Sequence, residues 1–239
     1  MTSYKSMSDK PSVRSPWFWV PSLYFAQGIP YVAVMIVSVL MYKRLGVSNT
    51  DIALYTSWLN LPWVIKPFWS PFVDLLKTKR WWVVTMQLLI GAGLAGVAFT
   101  IPTTFFFQAS LAVFWLLAFS SATHDIAADG FYMLALDSHE QAFFVGIRST
   151  FYRIAIIAGQ GVLVMFAGFL ENSTGNIPLA WSVTFFILGG LFLALFLYHR
   201  YILPLPKGDK PSATVTPSTI LKEFFATFAS FFKKKQAFV

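Results

Sequence analysis

Six long apolar runs, separated by short polar turns, constrain this chain more than any other feature. They cover residues 17–41, 51–72, 81–101, 104–136, 142–170 and 177–203. A transmembrane helix needs about 20 mostly apolar residues, so each run is long enough to cross a bilayer. The turns between them are brief: Gly46-Val47-Ser48-Asn49, Pro102-Thr103, residues 137–141 and residues 172–176. Such short connections force neighbouring helices to run antiparallel, which gives an up-and-down bundle. The expected fold class is an all-α membrane protein of six transmembrane helices. Ser48 or Thr50 can cap the second helix, because a hydroxyl there satisfies amides left orphaned by the first turn.

Composition agrees with this reading. Hydrophobic residues make up 56% of the 239-residue chain and charged residues only 12%, with mean hydropathy +0.63. Soluble domains carry about 25% charged residues, so too little polar surface remains here to solvate a compact globule. The 26 Phe and 9 Trp suit lipid-facing surfaces and interfacial belts. With no Cys, disulfide frameworks and thiolate metal sites are excluded. No His has metal-ligand partners at suitable spacing, and no nucleophile with a base or phosphate loop is evident. No metal or cofactor is expected. The net charge of +8 lies between apolar runs rather than in one patch, which favours cytoplasmic loops over a nucleic-acid surface.

Orientation follows from Lys and Arg in the short loops. One side holds Lys5, Lys10 and Arg14, then Lys77, Lys79 and Arg80, then Arg200, Lys207 and Lys210. The other holds Lys43 and Arg44 alone. Both termini are therefore expected in the cytoplasm, with Lys43-Arg44 the discordant pair. Residues 1–16 read as a cytoplasmic tail and 17–203 as the bundle. Residues 204–239 read as a cytoplasmic linker, with an amphipathic helix at 218–235 suited to the anionic leaflet or to a partner domain. An apolar run begins again at Ala237-Phe238-Val239, so the chain is expected to be truncated.

Ionisable groups inside spans are costly and mark function by default. Asp125 and Asp129, in His124-Asp125-Ile126-Ala127-Ala128-Asp129-Gly130, are one turn apart and share a helical face. Two close carboxylates favour protonation of one, which suits a proton relay. A structural pairing with Arg148 and Arg153 of the next run is the alternative, and a salt bridge that breaks on protonation serves both; Arg153, the deeper of the two, is the expected partner of Asp129. His124 is placed to relay protons to Asp125. Lys66 lies near the cytoplasmic end of the second run, either facing a cavity or snorkelling to the interface. Tyr24, Gln27, Tyr31 and Ser38 fall on one face of the first helix, which Gly28 and Pro30 interrupt. Such breaks are tolerated where backbone lines a cavity. Gly91, Gly93, Gly96, Gly159 and Gly161 are expected at close helix contacts.

Six spans with cytoplasmic ends resemble the N-terminal half of a major facilitator superfamily transporter. Asp74 followed by Lys77, Lys79 and Arg80 resembles that superfamily's loop motif, though its usual glycines and the Arg after the Asp are absent. Lys66 through Trp69-Ser70-Pro71 to Asp74, residues 122–129, and Tyr152-Arg153-Ile154 resemble the AmpG-like muropeptide permeases and their acetyl-CoA-transporter relatives. The resemblance covers most of residues 17–203. It implies a bacterial inner-membrane protein, not an enzyme. Its implied activity is proton-driven import of anhydro-muropeptides or a similar anionic solute for cell-wall recycling, completed by a second six-span half. The functional charges it implies are Asp125, Asp129, Arg153 and Lys66. A six-span half-transporter or scaffold acting as an oligomer is the competing architecture. A membrane enzyme of lipid or cell-wall metabolism would want clustered His and Asp, whereas His124, His139 and His199 are scattered along the sequence.

Overall fold

A computed structural model describes residues 15–210 and shows an all-helical bundle, with no strand among the described residues. The N-terminal tail, the amphipathic helix expected at 218–235 and the resumed apolar run lie outside the described residues. Five helices are long and apolar enough to cross a membrane: Pro16–Arg44, Lys79–Thr100, Phe106–Ala135, Ser138–Thr174 and Ile177–Ile202. They correspond to the first, third, fourth, fifth and sixth runs. The fifth begins earlier and ends later than its apolar content indicated, because polar first and last turns extend it.

The second run is not one continuous helix. It comprises Asn49–Thr56, Leu61–Ile65 and Ser70–Leu76, joined by tight 3₁₀ turns at Ser57–Asn60 and Lys66–Phe68. Pro62, Pro67 and Pro71 explain the breaks. Each sits in the first turn of the segment that follows it. Proline there sacrifices no bonded amide, whereas mid-helix it removes one and clashes with the preceding turn. The helix therefore restarts at each proline.

The first and fifth spans are interrupted differently. Pro30 lies inside Val20–Val32, and the strain is taken up just beyond it by a π-turn at Ala33–Val37 before the helix resumes at Ser38–Arg44. The fifth span carries a matching π-turn at Gly159–Leu163, between Ser138–Ala158 and Val164–Thr174, and the two π-turns touch. Glycine makes this crossing possible. A Cβ on Gly28 would lie 2.7 Å from the Ala155 Cβ, and one on Gly159 would collide with Val32. Gly91 and Gly189 bring the third and sixth spans together in the same way, and Gly93 seats Leu117. Gly96 makes ordinary contacts, and Gly161 has nothing within 4 Å. Gly161 therefore departs from the close contact expected of it: two residues beyond Gly159, it lies on the opposite side of the helix from the packed face.

Helix starts are capped by side chains: Ser48 accepts from the Asp51 amide, Thr78 from Trp81, and Asn176 from Leu179. Asp137 and Glu140 form a reciprocal capping box. The apolar core has two parts. One, around Trp19, Val83, Phe131 and Leu203, lies toward the end where the chain starts. The other, around Val37, Tyr42, Leu94, Phe114 and Trp181, lies toward the opposite end.

Contacts at each end sort the loops as the charge count does. At one end Tyr198 donates to the Phe18 carbonyl, and Arg80 donates to the carbonyls of Arg200 and Leu203. Asp209 accepts from the amides of Lys79 and Arg80. At the other end Arg44 pairs with Glu171, whose second oxygen accepts from Trp181 Nε1 at 2.7 Å. The discordant basic pair is thus occupied locally: Arg44 by Glu171 and Lys43 by Asn49.

Candidate functional site

The fourth span, Phe106–Ala135, carries both acidic residues. Asp125 is 7% exposed and Asp129 is partly exposed. Each carboxylate meets a cation from a different span. Lys66 Nζ, at the second break of the second run, lies 4.0 Å from Asp125 Oδ2. Arg148 Nη1, on the fifth span, lies 3.3 Å from Asp129 Oδ1. The break before Pro67 matters here, because it places Lys66 on a short 3₁₀ turn beside the fourth span. Lys66 therefore faces the bundle's acidic helix, although its side chain is still about one third exposed.

Arg148 is held on several sides. It donates to Tyr24 Oη at 3.0 Å, and Tyr24 Oη in turn donates to Asp129 Oδ1 at 3.0 Å. The guanidinium carbon also lies 5.2 Å from the Tyr24 ring centre and 5.0 Å from that of Tyr132. Aromatic faces attract cations electrostatically, so the rings and the carboxylate together fix the guanidinium in one pose. Tyr24 is where the first span joins this group.

Arg153, the arginine carried by the resemblance, has no carboxylate partner among the described residues; Asp129 pairs with Arg148 instead. Arg148 is the one of the two that reaches Asp129 and both tyrosine rings. Arg153 lines the same groove, of about 300 Å³, together with Tyr24, Gln27, Asp129, Arg148, Ser149 and Tyr152. A larger cleft of about 710 Å³ opens on the other side of Asp129, between the second and fourth spans. Lys66, Ser70, Asp74, Lys79, Asp129 and Gly130 are among its walls. Asp129 thus borders both spaces.

The polar stripe of the first span divides. Tyr24 and Gln27 line the groove, while Tyr31 packs edge-on against Trp63 with ring centres 5.2 Å apart. Ser38 is fully buried and donates to its own helix at Val34 O. Its separation from the stripe follows from the π-turn, which inserts an extra residue and rotates everything beyond it. His124 also points away from the groove. It is fully buried against Gln87 of the third span, with Nε2 atoms 3.1 Å apart.

The loop residues occupy the end where Asp209 sits. Lys79 forms an ion pair with Asp74. Its stem crosses the fourth span so closely that a Cβ on Gly130 would lie 2.9 Å from Lys79 Cε. Lys77 lies 5.9 Å from the Trp81 ring centre, and Arg80 ties the third span to the end of the sixth. No group of His, Asp and Glu suited to a metal ion occurs among the described residues.

Reading the sequence alone does not reveal Tyr132, Tyr152, the Arg44–Glu171–Trp181 cluster or the partners of His124. A clue was present for Glu171, an acidic residue beside the very loop side that otherwise carried unmatched positive charge.

Partly exposed ion pairs join spans beside an open groove, and the comparisons indicate a transporter rather than an enzyme. The chain belongs to the BT1 family, which it matches over residues 25–235. It is 29% identical over 181 residues to a Rickettsia conorii protein named as transporter AmpG 4, covering 70% of this chain and 40% of that protein. It is 24% identical over 223 residues to the anhydromuropeptide permease of Escherichia coli, covering 90% of this chain and 42% of the permease. An uncharacterized Schizosaccharomyces pombe protein is 28% identical over 145 residues, covering 54% of this chain and 28% of that protein. The chain therefore spans less than half the length of these relatives. It is a multi-pass, AmpG-related membrane protein of the transporter class.

Proposed function

We propose that this bundle is the N-terminal half of a proton-coupled importer of anionic solutes, with anhydro-muropeptides as the leading candidate cargo. The observation that carries this reading is the pair of carboxylates one turn apart on the fourth span. Each is engaged by a cation from a different span, and Asp129 with Arg148 borders a polar groove. An ionised carboxylate buried alone in a bilayer costs several kcal/mol, so it is paired or protonated. Protonating Asp129 removes the charge that holds Arg148 and leaves the guanidinium for a solute carboxylate. Losing the proton restores the pair and expels the solute. Tyr24, Gln27 and Tyr152 offer hydroxyl and amide groups for sugar hydroxyls. Arg153, with no carboxylate partner among the described residues, is a second cation for the cargo.

In this reading the termini and the 77–80 loop face the cytoplasm of a bacterial inner membrane. A second six-span half completes the cavity, and the two halves rock about the midplane site. The name of the Escherichia coli relative supports the cargo. The experiment is uptake of labelled anhydro-muropeptide into vesicles containing the complete transporter, with the outside made more acidic than the lumen. Asp129→Asn is expected to abolish accumulation against a gradient while retaining exchange. Normal concentrative uptake by a well-folded Asp129→Asn protein rules out coupling at this residue. Competition by unrelated anionic sugars as strong as by the muropeptide itself rules out the cargo but not the class.

A further inference from the structure

His124, Gln87, His199 and Ser22 form one continuous hydrogen-bonded chain through the packed interior, drawn from four different spans. Gln87 Nε2 on the third span donates to His124 Nε2 on the fourth, at 3.1 Å. His199 Nδ1 on the sixth donates to Gln87 Oε1 at 3.0 Å. Ser22 Oγ on the first lies 3.0 Å from His199 Nε2 and 3.3 Å from the Trp19 carbonyl. The two imidazoles and the amide are completely buried. With Gln87 Nε2 as donor and Gln87 Oε1 as acceptor, each ring carries a proton on Nδ1.

Such a chain serves either proton movement or positioning. Its central link decides against the first. A primary amide passes a proton only through its unstable imidic acid form, so Gln87 interrupts conduction between the rings. The geometry suits positioning instead. A polar group buried in an apolar bundle is expensive unless its bonds are made, so breaking this chain by rotating any one helix is costly. His124 is the residue immediately before Asp125. Fixing His124 toward the third span fixes the rotation of the fourth, and that rotation decides where Asp125 points.

We propose that the His124–Gln87–His199–Ser22 chain is a positioning device that aims Asp125 at Lys66. The proposal concerns the ion pair itself; its bearing on transport rests on the function proposed above. Asp125 is faced by Lys66 and Trp63 of the second run, Gln27 of the first span, Tyr152 of the fifth and Asp129 of its own helix. Lys66 is the one cation in this set, and the others are uncharged except Asp129. Neither histidine, nor Gln87, touches the groove.

A double-mutant cycle between Lys66 and Asp125, repeated in a second background, tests the idea. Lys66→Met, Asp125→Asn and the double variant are unfolded by denaturant in mixed micelles. The cycle is then repeated with Gln87→Leu, and as a control with Thr184→Val. Thr184 is equally buried on the sixth span but bonds only its own helix, at Ala180 O. The expected coupling is about fivefold in the unfolding equilibrium constant for the parent, within the range found for residues in contact. It is expected to fall to about one in the Gln87→Leu background and to survive in Thr184→Val. Should Gln87→Leu fail to fold, Ser22→Ala and His199→Leu break the same chain nearer its end. Coupling that persists after the chain is broken overturns the proposal, as does its absence in the parent. Because the readout is unfolding, the result is independent of whether Asp125 or Asp129 couples protons, which uptake by Asp129→Asn answers separately.

Discussion

Arg44 at the end of the first span grips Glu171 at the end of the fifth through two guanidinium nitrogens, with Nε 2.9 Å from Oε2 and 3.2 Å from Oε1. The carboxylate is 6% exposed on its side chain whereas the arginine is largely in solvent, so the pair is an anchored lid rather than a buried bridge. Trp181 Nε1 supplies a third donor to the same carboxylate from the start of the sixth span.

Glu171→Gln is accordingly expected to lower the unfolding temperature by a few degrees, and the deficit should shrink as salt is added, because exposed partners are screened. Reversing both charges, Arg44→Glu with Glu171→Arg, is expected to recover only part of the loss, since the Trp181 donor then faces a guanidinium. Thermal scans of the purified protein at low and high salt check both statements.

The arrangement of the two ends makes a labelling prediction. The chain has no Cys, so single cysteines can be added without background. Cysteines at Thr103 and Thr174 are expected to react with an impermeant maleimide from outside intact cells, and one at Thr78 only after lysis. Labelling of Thr78 from outside reverses the proposed orientation.

Close helix approach gives a third prediction. Ala at Gly28 or Gly159 should be strongly destabilising, because its methyl meets Ala155 or Val32 at the crossing of the first and fifth spans. Ala at Gly161 should be neutral or slightly stabilising, because open space surrounds it. Equal effects at all three positions contradict the packing described.

Arg148 offers a fourth. Arg148→Lys keeps the charge but loses the planar fork and the guanidinium's contact with the rings of Tyr24 and Tyr132. It is expected to cut uptake at least tenfold, about 1.4 kcal/mol, while Arg148→Met abolishes it. Solute accumulation by cells expressing the complete transporter, normalised to protein in the membrane, is the measurement.

The spans were legible because burial in lipid demands long, uninterrupted apolar sequence, and five of the six runs are long helices within a few residues of the expected bounds. The second failed as a single helix through Pro62, Pro67 and Pro71, whose spacing was in plain view but whose effect depends on neighbours tolerating each break. Asp125 and Asp129 stood out because charges are rare in spans. Depth along the fifth run pointed to Arg153 as the partner of Asp129, whereas Arg148 holds it, since reach to Asp129 depends on how the fifth span rotates against the fourth. Gln87 and His199 were invisible for a related reason. A polar residue in an apolar run declares that it needs a partner, but the partners of Gln87 lie 37 and 112 residues further along the chain.

The paired π-turns of the first and fifth spans have one further consequence. Each adds a residue at the same depth, so the helical phase on one side of them is offset from the phase on the other. The stretch bearing Tyr24, Gln27, Arg148 and Tyr152 is thereby turned relative to the stretch bearing Ser38, Arg44 and Glu171, so residues that share a face on one side of the π-turns do not share it on the other.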